Sequence, residues 1–136
     1  MIIWYAEIHS ANWAMLKSEL KRQKIKAQLK CFRDVRHDML KDSGARPDLI
    51  VIDLAAIDMP VNMGYDPIDN YHSAVLHLTE KWSSALIAMY SGMNSYAEDC
   101  VKELRELTGR QDIIWIDLSK EEGMIGGILK LTKAYL

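Results

Sequence analysis

Polar side chains follow several apolar runs in this sequence, and their types suit phosphoryl and metal chemistry. Glu7 comes after the first run, Asp53 lies at the end of a run of Leu, Ile and Val, Ser91 follows the next run, and Lys120 follows the last one. Two carboxylates can hold Mg²⁺ through hard oxygen ligands, while a hydroxyl and an ammonium group can hold phosphoryl oxygens. Brought together, these residues would suit phosphoryl transfer to an aspartate.

The apolar runs themselves are the candidate strands that must position these residues. Three of them are nearly continuous in apolar residues, which is typical of parallel strands covered on both faces. Another alternates polar with apolar residues, so it suits an edge of the sheet. The five predicted strands are Ile2–Tyr5, Ala27–Phe32 (the alternating one), Leu49–Leu54, Ala85–Tyr90 and Ile113–Leu118.

Segments with helical spacing of apolar residues separate the strands, so five strands and five helices alternate along the chain. This order with short connections predicts right-handed crossovers and a doubly wound parallel α/β sheet. We expect the flavodoxin-like strand order 2-1-3-4-5 in a single domain over residues 1–136. In such a sheet the ligand site lies beyond the carboxyl ends of the strands, where the four polar residues would meet.

Composition excludes several classes of function. The chain has 136 residues, 17 Lys and Arg against 19 Asp and Glu, and a net charge of -2, which argues against nucleic-acid binding. It begins without a secretory signal and contains no apolar run of membrane-spanning length, so we expect a cytoplasmic protein without membrane contact. Cys31 and Cys100 lack disulfide or zinc spacing. Glycine-rich phosphate motifs and a serine nucleophile elbow are missing, which argues against an enzyme of those classes.

The segment Pro47–Leu54, with Met59 and Pro60 shortly after it, resembles the phospho-acceptor strand of response-regulator receiver domains. The resemblance covers the whole chain. Residues 2–7 and 15–20 resemble the first strand and helix of that family, and Leu118–Lys120 resembles the segment that carries its lysine.

The resemblance implies a role for each of the polar residues. Asp53 would be the phospho-acceptor in a two-component phosphorelay and would take its phosphoryl group from a histidine kinase. Glu7, Asp53 and the carbonyl of Ala55 would bind Mg²⁺, Ser91 would be the switch hydroxyl, and Lys120 would contact the phosphoryl group. The expected partner is therefore a histidine kinase or another signalling protein.

Four departures from the family pattern modify these expectations. Ala6 stands where the family has a second acid, which predicts weak Mg²⁺ binding unless Asp58 replaces that acid. The Met59-Pro60 pair comes about three residues late, which predicts a reshaped rim. Glu121 replaces a proline, so we expect a trans peptide bond after Lys120. Asp117 replaces the aromatic switch residue.

These departures leave two other hypotheses open. The chain could be a pseudo-receiver, in which the fold acts as an unphosphorylated protein-interaction module, and Asp53 could then simply accept backbone N–H groups. It could also be a small-ligand sensor, with Tyr65, Tyr71, Tyr90 and Trp115 along the rim.

The last predicted helix adds an expectation about assembly. It contains three glycines, Gly123, Gly126 and Gly127, beside several large apolar residues. These features fit a homodimer contact, or else they allow the helix to pack closely on the fifth strand.

Overall fold

A computed structural model describes residues 1–57 and 67–135, and the side chains of these residues other than 67–72. Strands and helices alternate through most of this part of the chain. In chain order the elements are β1 (Ile2–Ala6), α1 (Ser10–Arg22), β2 (Gln28–Phe32), a π-helical turn (Val35–Met39), β3 (Leu49–Asp53), a 3₁₀ turn (Leu54–Ala56), α2 (Pro67–Lys81), β4 (Leu86–Tyr90), α3 (Asn94–Thr108), β5 (Ile113–Trp115) and α4 (Gly123–Tyr135).

The five strands form one parallel sheet in the order β2-β1-β3-β4-β5, so the predicted flavodoxin-like topology is confirmed. β1 pairs with β3 from Ile3 opposite Leu49 to Ala6 opposite Ile52. β3 pairs with β4 as far as Asp53 opposite Tyr90. The carboxyl ends of β1, β3 and β4 therefore meet at one edge of the sheet.

The alternation of side chains along each strand divides the core into two layers. Residues such as Trp4, Ile50 and Ile87 face α2, α3 and the π-helical turn. Their sequence neighbours Tyr5 and Val51 face α1 and α4. β2 has an alternating exposure pattern, which confirms its prediction as an edge strand. β5 is the other edge, although its apolar run resembles that of a central strand, and two of its three residues are only half-buried.

β2 and β4 each begin one residue later than predicted, while β3 and β5 end earlier because side chains capture the next backbone groups. β3 ends at Asp53, whose carboxylate caps the following 3₁₀ turn by accepting the Ala55 N–H. β5 ends at Trp115, although the Ile116 N–H still donates to β4. Beyond it, the Leu118 N–H donates to the Asn94 side chain at 3.0 Å, which turns the chain away from the sheet.

Two helices also differ from their predictions. The second predicted helix is a π-helical turn of five residues, capped by the Asp34 carboxylate, which accepts the His37 N–H. The last helix begins at Gly123, whose positive φ of 64° favours glycine, so Lys120 lies in the preceding turn and not in the helix. The peptide bond between Lys120 and Glu121 is trans, as predicted.

Part of the predicted rim lies outside the described residues. This applies to Asp58, which we considered as a replacement acid, and to Met59, Pro60 and Tyr65; the side chain of Tyr71 is also outside them. Within the described ranges, no helix combines the length and apolar character needed to cross a membrane.

α4 packs closely on the edge of the sheet. Ile128 and Leu129 are buried in the layer that α4 shares with α1, and Ile125 is half-buried against it. A Cβ atom at Gly127 would lie 2.7 Å from Cγ2 of Ile116, just beyond β5. The structure thus supports close packing as the reason for Gly127, and the homodimer remains a prediction.

We expect Gly127→Ala to destabilise the domain by about 1 kcal/mol. The added methyl group overpacks against Ile116, which costs about 1–3 kcal/mol, and this exceeds the gain of about 1 kcal/mol in helix propensity. Urea unfolding followed by tryptophan fluorescence measures the difference. Gly92→Ala is the control, because a Cβ there meets no atom within 4 Å. A Gly127→Ala variant more stable than wild type would show that α4 is free to move away.

Candidate functional site

Two carboxylates meet at the carboxyl edge of the sheet. Glu7 directly follows β1 and Asp53 ends β3, and these two strands are neighbours. Glu7 is completely buried and Asp53 is 8% exposed. The two carboxyl groups are close enough to affect each other's pKa. Two carboxyl groups that share a site favour holding one proton between them.

Two tyrosines enclose the Glu7 carboxylate on the α1 and α4 side of the sheet. Tyr5 lies two residues before Glu7, so both side chains are on the same side of β1. Tyr90 lies opposite Asp53 in the β3–β4 register. Its hydroxyl donates to Oε2 of Glu7, and the Tyr5 hydroxyl lies 2.6 Å from that of Tyr90 and 3.3 Å from the same Oε2. The phenols therefore join β1 and β4 across β3.

The other oxygen of Glu7 also has partners. The backbone N–H of His9 donates to Oε1 at 3.1 Å, and the side chain of Asn12 adds a further hydrogen bond to the carboxylate. Glu7 therefore accepts from backbone, amide, carboxyl and phenol groups, which together replace the water lost on burial.

The two carboxyl groups have pKa values shifted in opposite directions, up for Asp53 and down for Glu7. Burial raises the pKa of Asp53 to about 7, opposed by the Ala55 N–H and supported by the neighbouring Glu7. Burial would also raise the pKa of Glu7, but hydrogen bonds from Tyr90, His9, Asp53 and Asn12 outweigh it and hold that pKa below its ordinary value. Below about pH 7 that proton is therefore held by Asp53. Burial raises the pKa of both tyrosines, so their hydroxyls keep their protons.

Ser91 and Lys120 have different local contacts. Ser91 follows Tyr90, but its Oγ accepts the backbone N–H of Met93 at 3.0 Å at the start of α3. Lys120 is exposed, and its charge acts on the carboxylate of Asp117. Its side chain also lines a groove of about 260 Å³ beside β5 and α4, together with residues that include Trp115, Lys130 and Leu131. The structure thus places Glu7 beside Asp53, while the Ser91 hydroxyl accepts a backbone N–H just before α3.

Asp117 anchors the turn that follows β5. Its Oδ1 accepts from Nδ2 of Asn94 at 2.7 Å and from the backbone and side chain of Ser119. Where the family has an aromatic switch residue, this chain has a polar bridge to the first residue of α3.

The described residues do not fit the predicted magnesium site of Glu7, Asp53 and Ala55. Mg²⁺ requires near-octahedral oxygen coordination with deprotonated carboxylates. Here the Asp53 carboxylate accepts the Ala55 N–H, and the oxygens of Glu7 accept hydrogen bonds from protein groups. Ala6, in the position of the missing acid, is completely buried. Among the residues the structure describes, no three His, Cys, Asp or Glu side chains cluster so as to hold a metal.

The residues that sequence reasoning missed are the two tyrosines. Tyr5 carried a usable signal, because it precedes Glu7 by two positions in a strand and must share its side. Tyr90 was predicted only as a rim residue of a sensor, whereas its ring is buried and its hydroxyl is bound to Glu7. Trp115, the other described member of that sensor set, packs against the layer of α2 and α3.

Comparison with known proteins places the fold. No family model and no curated protein sequence matches the chain. Chemotaxis protein CheY4 of Vibrio cholerae is similar in structure, with a TM-score of 0.59, 18% identity, and 99% of this chain and 98% of that chain covered. Response regulator TrrA of Thermotoga maritima, in complex with Mg²⁺ and BeF, has a TM-score of 0.62, 15% identity and the same coverage. Response regulator Rcp1, in its Mn²⁺-bound form, has a TM-score of 0.59 and 20% identity, with 98% of this chain and 88% of that chain covered. The chain therefore has the receiver-domain fold, as its sequence predicted.

We expect Asp53→Asn to stabilise the protein more at pH 8 than at pH 5. Between about pH 4, the ordinary pKa of aspartate, and about pH 7 the folded chain retains a proton at Asp53 that the unfolded chain releases. The free energy of unfolding therefore falls as pH rises through this interval and levels off above it. The asparagine amide donates to Glu7 at every pH, so the gain at pH 8 is about 1–3 kcal/mol.

Denaturant unfolding at both pH values measures this difference. Asp99→Asn, on the exposed side of α3, is the control and should have the same effect at both. Equal stability of wild type and Asp53→Asn at pH 8 would contradict a shared proton.

Proposed function

We propose that this chain is a pseudo-receiver: a receiver-fold signalling module that contacts a partner protein and is not phosphorylated on Asp53. The observation that carries the proposal is that protein groups, and not a cation, contact the Glu7 carboxylate beside Asp53. Phosphoryl transfer to an aspartate needs an ionised carboxylate as nucleophile and a cation that offsets the charge on the phosphoryl oxygens. In this chain burial raises the pKa of Asp53 to about 7, and the neighbouring Glu7 carboxylate is contacted by the tyrosine hydroxyls.

The contacts of Ser91 and Lys120 support the same proposal. In a phosphorylated receiver, a hydroxyl and a lysine would contact the phosphoryl group. Here the Ser91 hydroxyl accepts a backbone N–H at the start of α3, and the Lys120 charge lies beside Asp117. The bridge from Asp117 to Asn94 also holds this turn against α3, so the region has its own internal partners.

A second candidate function is phosphorylation of Asp53 by a histidine kinase. The position of Asp53 favours it, because the residue ends β3 at the carboxyl edge, beside Glu7, and is not completely buried. Its proton would have to leave first, so this reaction would be restricted to conditions above about pH 7.

The partner we propose in either case is a signalling protein of a two-component system, in the cytoplasm. Two large apolar side chains are exposed in the loops at the carboxyl edge: Ile8 after β1, 44% exposed, and Met93 after β4, 71% exposed. We include these two side chains in the proposed contact surface.

Incubation with a small phosphodonor and Mg²⁺, followed by intact mass measurement, separates the two functions. We expect wild type to keep its mass at pH 7 and at pH 8.5, because Asp53 lacks a bound cation in both cases. Asp53→Asn is the matched control for phosphorylation elsewhere. A gain of one phosphoryl group in wild type that is absent from Asp53→Asn would reject the pseudo-receiver and establish the second candidate.

A further inference from the structure

The hydrogen bonds around Glu7 occupy the positions that a cation would need. A bound divalent ion must contact carboxylate oxygens directly, and for Mg²⁺ the distance is only about 2.0–2.1 Å. At Glu7 the Tyr90 hydroxyl is bound to Oε2 and the Tyr5 hydroxyl lies 3.3 Å from the same atom. On the other oxygen, the His9 N–H points at Oε1. A cation that binds Oε2 of Glu7 directly must displace these hydroxyls.

We infer that Tyr5 and Tyr90 take the place of a divalent cation at this edge of the sheet, and that their hydroxyls exclude Mg²⁺ and Mn²⁺ from Glu7. The inference deepens the proposed function and rests on it, because it names the groups that close the acidic pair. It assigns the two tyrosines as the residues that decide whether this receiver fold binds a metal.

Charge balance supports this assignment. A receiver-type metal site would have both carboxylates ionised and a double positive charge between them. In this chain the Glu7 carboxylate accepts hydrogen bonds from the Tyr90 hydroxyl and the His9 N–H, with the Tyr5 hydroxyl 3.3 Å from Oε2, and these donors face it in place of a cation. A buried charge needs such partners, since its solvation by water has been lost.

The tyrosines are also held in place, so they cannot easily give way to an ion. Tyr5 is completely buried and Tyr90 nearly so, and their ring centroids are 6.5 Å apart. The rings lie in the core layer between the sheet and helices α1 and α4. The Tyr5 hydroxyl also contacts the Sδ atom of Met124, in the first turn of α4, at 3.2 Å. Moving either ring would therefore disturb the packing of α4.

Binding of Mn²⁺ to the whole chain at pH 8 tests the inference, with the electron paramagnetic resonance signal of free Mn²⁺ and calorimetry as readouts. We expect wild type to show no saturable binding up to about 10 mM, beyond the range of weak protein sites. The double variant Tyr5→Phe, Tyr90→Phe keeps both rings and removes both donors, so Glu7 is left open to a cation. It should bind Mn²⁺ at least about tenfold more tightly than wild type.

Two further variants make the result specific. Tyr135→Phe, at the exposed end of α4, removes a hydroxyl that bonds to Asp48 instead and should behave as wild type. Adding Glu7→Gln to the double variant should abolish the binding that it gained. If the double variant does not fold by circular dichroism, Tyr90→Phe alone is the replacement, with a smaller gain in the same direction.

Two results would overturn the inference. One is saturable binding by wild type that Glu7→Gln abolishes. The other is a folded double variant that binds no better than wild type. Neither depends on a phosphodonor, so this experiment is independent of the mass measurement. A wild-type chain that accepts a phosphoryl group yet binds no Mn²⁺ would reject the pseudo-receiver and leave the role of the tyrosines intact.

Discussion

A buried carboxylate without a cation must obtain its stabilisation from hydrogen bonds, and this constraint at Glu7 organises the carboxyl edge of the sheet. Leaving such a charge unpaired in the interior would cost several kcal/mol. Three neighbouring elements supply the donors. β1 carries the Tyr5 phenol, β4 ends in the Tyr90 phenol, and the loop into α1 directs the His9 N–H at the second oxygen.

The parallel sheet makes this concentration of partners possible. β3 lies between β1 and β4, so the side chains of Tyr5 and Tyr90 meet above it, on the side covered by α1 and α4. On the opposite side the core is largely apolar, with Trp4 packed against Phe32 and Trp82. The polar network is therefore confined to one end of one layer. The rest of the domain can be held by ordinary apolar burial.

The sheet was predictable from the sequence, because buried parallel strands are continuous apolar runs and their alternation with helical segments leaves few topologies. The second helix was not predictable as a π-helical turn, because Val35 and Met39 have spacing that also suits an α-helix. The length of β5 depends on Asn94, far away in the chain, which captures the Leu118 N–H. Of the site, Glu7 and Asp53 could be placed at strand ends. Choosing between Tyr90 and Ser91 required the β3–β4 register, which hydropathy does not contain.

Tyr90 and Ser91 are neighbours in the chain, but only the Tyr90 hydroxyl is bound to Glu7 at the carboxyl edge of the sheet. Successive side chains of a strand point to opposite faces, so a hydroxyl one position later cannot reach the same carboxylate. Tyr90 is also long enough for its hydroxyl to reach Glu7, two strands away, whereas a serine at the same place would end far short of it. The Tyr5 hydroxyl contacts both Glu7 and Met124, so this side chain connects the acidic pair to the first turn of α4. A change that moves the Tyr5 ring away from the acidic pair must therefore also repack the start of α4.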